Sequence, residues 1–262
     1  KKIKIITKMN VLLYYYYTKI NNTIEYYDKH KLFCENLDLK GRIIISTEGI
    51  NGTLSGSSNN CAKYMDFVKS DERFKFIEFK IDECIEHLFP RMSIKIKPYL
   101  IKLGIKNLDP NIDTGTHLSP KQFYNMMHNE NVIILDTRSN YEHNIGKFKN
   151  AITLDINKFY ELPDKIKEHE MYLNEENRNK KILTYCTGGV RCETATTYLK
   201  KIGFKNVYQL DGGLIKYGKE ENGKDFDGKC YVFDGRITKD INIENPKKIT
   251  KCIICNVEND DI

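Results

Sequence analysis

The spacing of apolar positions along this chain changes several times, and each change marks an element. Residues 11–18 form a continuous apolar and aromatic run, which predicts a strand. Across 24–37 the apolar residues fall near helical spacing, and Leu39-Lys40-Gly41 closes the segment. Residues 42–46 are β-branched and predict a second strand. The following Thr47-Glu48-Gly49-Ile50-Asn51-Gly52 carries two glycines and an asparagine, the composition of a turn, with 53–56 extended beyond it. Residues 62–69 suit a helix, and 74–81 alternate as a strand. The resulting order β-α-β-β-α-β is the split βαβ, ferredoxin-like arrangement.

The second half has a different rhythm. Residues 109–120, with Pro110, Gly115 and Pro120, read as a linker. Residues 131–135 are a short apolar run ending at Asp136. Residues 181–185 are another, and they run directly into Cys186-Thr187-Gly188-Gly189-Val190-Arg191. A helix over 192–202 follows, closed by Gly203, and then a strand over 206–210 before Asp211-Gly212-Gly213. Strands alternating with helices predict a parallel α/β sheet flanked by helices. Beyond Glu220 the chain turns polar and lysine-rich, with one patterned island at 229–236. The expected division is a ferredoxin-like domain over 1–108, a linker over 109–120, an α/β domain over 121–220 and an extension over 221–262.

Composition adds bounds. With 262 residues, 40% hydrophobic and 30% charged, the chain is globular, about two domains long and far from collagen-like or low-complexity sequence. No apolar run reaches ~18 residues, so no membrane-spanning helix is expected. Forty-two Lys+Arg against thirty-six Asp+Glu give +6, but only seven of these cations are Arg. Lys, Asn, Ile and Tyr share AT-rich codons, so the total charge does not by itself imply an anionic partner. Its distribution says more. Residues 88–107 contain Arg91, Lys95, Lys97, Lys102 and Lys106 and no acid, and a strand there would put Lys95 and Lys97 on one face. Eight cysteines are too dilute for a secreted disulfide scaffold and imply reduced thiols in a cytosol-like compartment. The chain begins at Lys1 rather than Met, which leaves organellar targeting open.

Cys186 carries the strongest chemical signal. It ends a buried strand and opens a glycine-containing loop that leads into a helix. Such a loop can turn its N–H groups toward one point, and the helix N-terminus adds positive potential there. A thiol so placed falls from a pKa of about 8.5 to between ~3.5 and ~7.5. A cysteine phosphatase needs five residues between its Cys and Arg to cradle a phosphate, whereas four separate Cys186 from Arg191. The tighter loop suits a persulfide or a reactive thiolate.

Asp136-Thr137-Arg138, Glu142, Ile145-Gly146, Ala151, the 185–191 loop and Leu210-Asp211-Gly212-Gly213 resemble a rhodanese domain. The likeness is closer to one branch. Lys40-Gly41-Arg42-Ile43, Glu48-Gly49-Ile50-Asn51-Gly52-Thr53, Ile145-Gly146-Lys147-Phe148-Lys149-Asn150-Ala151, Cys192-Glu193 after the loop, and Tyr231-Val232-Phe233-Asp234 are similar to the rhodanese-like tRNA uridine hydroxylases. Together these motifs span roughly residues 11–240. The resemblance implies an acylphosphatase-like, ferredoxin-type domain fused to a rhodanese domain. It implies oxygen-dependent conversion of the wobble uridine of tRNA to 5-hydroxyuridine in the cytoplasm, with Cys186 essential. The partner would be the anticodon loop of tRNA, and the co-substrate dioxygen, without a tightly bound cofactor or a metal.

The loop residues Thr187, Gly188, Gly189, Val190 and Arg191 are then the expected active-site frame. A thiolate adding at carbon 6 of uracil would make carbon 5 enolate-like and reactive toward dioxygen; a Cys186 persulfide is the other candidate species. The alternative function is a sulfurtransferase that passes sulfane sulfur through Cys186 without RNA. Cys192 either resolves an oxidised sulfur or packs in the first helical turn. Glu48 and Asn51 are candidate supports, and Arg42, Arg91, Lys95 and Lys97 candidate RNA contacts. Arg138 is expected in a buried ion pair with Asp136 or Glu142. Cys252-Ile253-Ile254-Cys255 has zinc-knuckle spacing but supplies two of the four ligands a structural zinc needs. Two departures from the family pattern stand out: Tyr99 takes a place usually held by Glu, and Cys230 is unusual in its motif.

Overall fold

A computed structural model of the chain describes residues 8–129 and 131–244 and the backbone of 250–251 and 258–259. Two compact units result. The first runs to Leu100 and includes Phe233–Arg236; the second holds Ile101–Val232 and resumes at Ile237.

In the first unit, β1 (Met9–Tyr17), α1 (Thr23–Asn36), β2 (Lys40–Ser46), β3 (Gly49–Ser57), α2 (Ser58–Lys69), β4 (Lys80–Cys84) and β5 (Met92–Ile96) follow one another. The sheet order is β4-β1-β3-β2-β5, antiparallel except where β5 runs parallel to β2. Period-two alternation sends Leu12, Tyr14, Ile43, Ile45, Ile50 and Leu54 to one face. There they bury against Tyr26 and Cys34 of α1 and Tyr64 and Val68 of α2. Both helices start on side-chain caps: Asn22 accepts from the Glu25 N–H and Ser57 from the Asn60 N–H. The ferredoxin-like order expected from the pattern is present, with one strand added at its edge.

Two local expectations change. The turn after β2 is only Thr47 and Glu48; Gly49, Ile50, Asn51 and Gly52 already pair within β3. Its glycines serve close approach. A Cβ at Gly52 would lie 2.3 Å from the Tyr14 hydroxyl, and one at Gly49 2.1 Å from the Tyr16 carbonyl oxygen. The strand expected over 74–81 begins at Lys80, because Phe74 and Ile77 are buried through a turn, with the Ile77 N–H donating to the Phe74 carbonyl at 2.9 Å.

The second unit contains β6 (Thr116–Leu118), α3 (Pro120–Asn129), β7 (Val132–Asp136), α4 (Asn140–His143), β8 (Gly146–Phe148), β9 (Ile152–Thr153), α5 (Leu162–Glu168), α6 (Glu170–Leu173), β10 (Lys181–Tyr185), α7 (Val190–Lys201), β11 (Asn206–Leu210), α8 (Gly213–Glu220), β12 (Phe226–Gly228), β13 (Cys230–Tyr231) and β14 (Thr238–Lys239). Its main sheet, β6-β11-β10-β7-β9, is parallel throughout. β10 is central and buried from Ile182 to Tyr185, as its unbroken apolar run predicts.

The boundaries differ from expectation at two places. The division falls after Leu100, and the end of the expected 109–120 linker is β6, paired with β11 through Thr116↔Tyr208. Gly115 reads as a breaker in sequence. In the fold it admits the Thr196 side chain, which a Cβ would approach to 2.8 Å, and its N–H donates to Thr196 Oγ1 at 2.9 Å. The first residues after 220 pack back onto the second unit, where β12 pairs with β8. Phe233–Arg236 belongs with the first unit, where Arg236 bonds both Asp234 and Asp82. Among the described residues no helix is long and apolar enough to cross a membrane.

Candidate active site

Cys186 stands at the carboxyl end of β10, where open parallel sheets place their ligand sites. The backbone turns sharply behind it. Gly189 has φ +103°, and its N–H donates to Cys186 Sγ at 3.1 Å. The first turn of α8 closes on the outside of the loop: the Leu214 N–H bonds the Cys186 carbonyl at 3.0 Å and the Ile215 N–H the Thr187 carbonyl at 3.1 Å. Gly213 makes that approach possible. A Cβ there would sit 2.6 Å from the Cys186 carbonyl oxygen and 2.7 Å from the Gly189 nitrogen. With the loop carbonyls occupied from outside, N–H groups are left to face the sulfur.

These groups reverse the effect of burial. Cys186 is fully buried, which alone would push its thiol up. A hydrogen bond from the Cys192 thiol, the Arg191 charge and the Gly189 and Arg191 N–H groups outweigh that and hold it down at about 6. Cys192, equally buried, moves the other way, pushed up by burial and by its ionised neighbour.

Arg191 is gripped from behind. Its Nη1 and Nη2 donate to the two carboxylate oxygens of Glu142 at 2.5 and 2.7 Å, and Nη2 also reaches Thr187 Oγ1 at 3.3 Å. Thr187 in turn donates to Glu142 at 3.1 Å, and the Ser139 N–H does the same at 3.1 Å. Burial opposes the charge on Glu142, but Arg191 holds its carboxyl below the usual range. One side chain at the start of α4 thus fixes both ends of the cysteine loop. Arg138 takes the other expected partner. It bonds Asp136 through Nε at 2.9 Å and Nη2 at 2.6 Å, and the Tyr185 hydroxyl donates to the same carboxylate at 2.6 Å. That pair is fully buried below the loop and holds β7 to β8 through the Gly146 carbonyl at 2.7 Å.

Sequence reasoning quoted Glu142 and Gly213 as parts of motifs without giving either a place in the site. Glu142 carried a signal: a buried Arg in the loop demands a carboxylate, and Ser139 with Glu142 three residues later has capping-box spacing. Tyr141, beside Glu142, was not singled out. It is half exposed, and its ring lies 5.1 Å from that of Tyr231, edge to face.

Thr187, Gly188, Gly189, Val190, Arg191 and Cys192 are together around the sulfur. The other candidates lie in the first unit. Arg42 pairs across the sheet with Thr53 and Ser93, and Ile44 with Asn51 and Lys95, so Arg42, Asn51 and Lys95 share the face turned away from the helices. Arg42, Arg91, Lys95 and Lys97 are exposed, and the Arg42 guanidinium lies 5.9 Å from the Phe89 ring. Glu48 accepts the Leu100 N–H at 2.6 Å, bracing the turn after β2. Tyr99 is half exposed. Cys230 is buried, and its thiol is pushed up to about 12 by that burial. Cys252 and Cys255 lie outside the described residues, and among the described ones no three His, Cys, Asp or Glu side chains cluster to hold a metal ion.

Residues 9–100 match the UPF0176 acylphosphatase like domain and residues 119–220 the rhodanese-like domain. The chain is therefore a rhodanese-type protein with an acylphosphatase-like domain in front. Full-length relatives narrow the class. The chain is 48% identical to a tRNA uridine(34) hydroxylase of Cytophaga hutchinsonii, covering 95% of this chain and 78% of that protein. It is 48% identical to one of Bacillus velezensis over 88% of this chain and 72% of the relative. A third, from Onion yellows phytoplasma, is 46% identical over 88% and 75%. This chain belongs to the tRNA uridine(34) hydroxylase family.

Proposed function

We propose that this protein hydroxylates carbon 5 of the wobble uridine in the anticodon loop of tRNA, with dioxygen as co-substrate and Cys186 as nucleophile. The observation that carries the reading is the buried Cys186 sulfur accepting the Gly189 N–H at 3.1 Å, in a loop whose N–H groups and Arg191 charge hold its thiol down at about 6. Carbon 5 of uracil becomes a nucleophile only after carbon 6 has been attacked. The Cys186 thiolate adds at carbon 6, leaving an enolate spread over carbon 5 and the carbon 4 oxygen. Carbon 5 then bonds dioxygen. Arg191 keeps the sulfur anionic before addition and receives it as a leaving thiolate afterwards, so the same charge serves both directions. We expect no tightly bound cofactor, the two electrons that reduce the second oxygen atom to water being supplied by thiols.

An anticodon loop offers an unpaired base, which costs little to turn outward. Tyr141 supplies a half-exposed aromatic face beside the loop on which uracil can stack. The exposed cations Arg42, Arg91, Lys95 and Lys97 meet backbone phosphate, with Asn51 on the same sheet face as Arg42 and Lys95. The six described cysteines are free thiols, which suits a reducing cytoplasm.

Nucleoside mass spectrometry of tRNA from cells lacking the gene, complemented with wild type or Cys186→Ala, tests the reading. Wild type is expected to restore 5-hydroxyuridine and Cys186→Ala to leave it at background. Normal modification by the variant would overturn the role of Cys186. Vigorous thiosulfate-to-cyanide sulfur transfer by a protein with no tRNA affinity would replace hydroxylation by sulfur transfer.

A further inference from the structure

Inserting one atom of dioxygen into a C–H bond leaves the second oxygen atom to be reduced to water by two electrons. The uridine supplies none of these two, and Cys186 regenerated as a thiolate supplies none either. We propose that Cys192 completes the balance: the Cys186–Cys192 dithiol is the two-electron reductant of each turnover. This rests on the hydroxylase reading above.

The geometry favours that pair over an external thiol. Both sulfurs are buried in the same loop, so the second thiol is already in place beside the first and needs no encounter from solution in the first turnover. The Cys192 sulfur lies 3.8 Å from Thr137 Oγ1, the same hydroxyl that donates to the Tyr185 carbonyl at 2.9 Å, which places it against the strand end that carries Cys186. Its backbone is fixed by an N–H bond to the Gly189 carbonyl at 3.0 Å, so it enters α7 within the loop that frames Cys186. The two thiols are also pushed in opposite directions, Cys186 down by the loop N–H groups and Arg191 and Cys192 up by burial, which suits one to attack carbon while the other holds a proton.

The steps balance as follows. Carbon 5, made nucleophilic by Cys186 at carbon 6, bonds dioxygen and takes up a proton to give a carbon 5 hydroperoxide. The Cys192 sulfur attacks the distal oxygen; the O–O bond breaks, leaving a hydroxyl on carbon 5 and a sulfenic acid on Cys192. Loss of the carbon 5 proton and of the Cys186 thiolate from carbon 6 restores the ring double bond and yields 5-hydroxyuridine. Cys186 then attacks the Cys192 sulfur, hydroxide leaves as water, and a disulfide forms. In sum, uridine, dioxygen and two thiols become 5-hydroxyuridine, water and one disulfide. A soluble dithiol reopens the disulfide for the next cycle.

The test is a single turnover. Fully reduced protein, freed of added thiol, is mixed in air with excess tRNA transcript bearing a wobble uridine. Product is counted by nucleoside mass spectrometry and disulfides by alkylation and peptide mapping. The expected result is about one 5-hydroxyuridine per chain, with Cys186 and Cys192 joined in equal amount and the other six cysteines still alkylated. Cys192→Ser, which keeps size and polarity, is expected to cut this first-turnover yield at least tenfold while its circular dichroism and tRNA binding stay normal. A full equivalent of product with both thiols still reduced, or full yield from Cys192→Ser, overturns the inference and leaves the hydroxylase reading intact. Absence of product from wild type, with or without dithiol, overturns the hydroxylase reading itself.

Discussion

Arg191 meets Glu142 through two parallel hydrogen bonds of 2.5 and 2.7 Å, both side chains being buried. The pair joins the end of the cysteine loop to α4 and sets the charge felt by the sulfur. Removing one partner of a buried pair strands the other, at about 3–5 kcal/mol. Glu142→Ala is therefore expected to lower stability by about that amount in urea titrations, and to abolish activity even where the protein remains folded. Glu142→Gln keeps the bonds' geometry but not the charge, and should fall between wild type and alanine on both measures.

Cys186 predicts a pH profile. Its thiol is held down at about 6, so the reactive thiolate dominates above that pH and is lost below it. The kcat/KM of the wild type should rise with pH through about 6 and level off, falling about tenfold per unit on the acid side. Arg191→Gln removes the favourable charge and should move the midpoint upward. The linkage to folding has a definite sign. A thiol depressed in the folded state contributes stability at high pH and loses it as pH falls through 6. Wild type minus Cys186→Ser stability should thus increase between about pH 6 and 9. A flat difference in urea midpoints across that range would contradict an ionised Cys186.

Gly213 has φ +64° and no room for a Cβ between the carbonyls of Cys186 and Thr187 and the Gly189 nitrogen. Gly213→Ala must push α8 away from the loop. Strained positive φ alone costs of order 1–3 kcal/mol. The expected outcome is a lower Tm together with a Cys186 midpoint shifted upward, because the loop N–H groups lose their backing. A drop in Tm with an unchanged midpoint would confine Gly213 to stability.

Tyr141 gives a different signature. It bears no charge onto the sulfur in its neutral form, and the residue is half exposed. Tyr141→Leu keeps apolar bulk and removes the aromatic face, so KM for tRNA should rise several-fold while the acid-side midpoint stays at its wild-type value. Stacking of one base is worth about 1–3 kcal/mol, which sets the upper size of the effect.

Much of this was legible in the chain, for identifiable reasons. β10, α7 and β11 could be read because an unbroken apolar run, a glycine loop and a C-terminal glycine leave few alternatives, and the observed Lys181–Tyr185 and Asn206–Leu210 match the read boundaries. The turn after β2 was overextended because Gly49 and Gly52 look like turn residues, while their actual need is close approach to β1. β6 was hidden for a similar reason: three residues between Gly115 and Pro120 are too short to show a period, and only pairing with β11 defines them. Cys186 was visible from its context alone. Glu142 was harder, since forty-nine positions separate it from Arg191 and only the fold brings them together.

The cations on the first unit carry the last prediction. Arg42 and Lys95 share one sheet face, with Arg91 and Lys97 at either end of β5, all four exposed. Their expected role is phosphate contact alone, so substituting them should leave the chemistry of Cys186 unchanged. Each phosphate contact removed lowers the dependence of log K on log salt by about one, because one fewer counterion is released. Arg42→Gln and Lys95→Gln should therefore each weaken tRNA binding, together additively, with a shallower salt slope and an unaltered pH midpoint. Arg42→Lys should recover the slope but not all of the affinity if the planar guanidinium, set 5.9 Å from Phe89, also stacks on a base. Filter binding of a tRNA transcript across a range of salt concentrations measures both terms. An unchanged slope in the double variant Arg42→Gln, Lys95→Gln would remove this face from the RNA-binding surface.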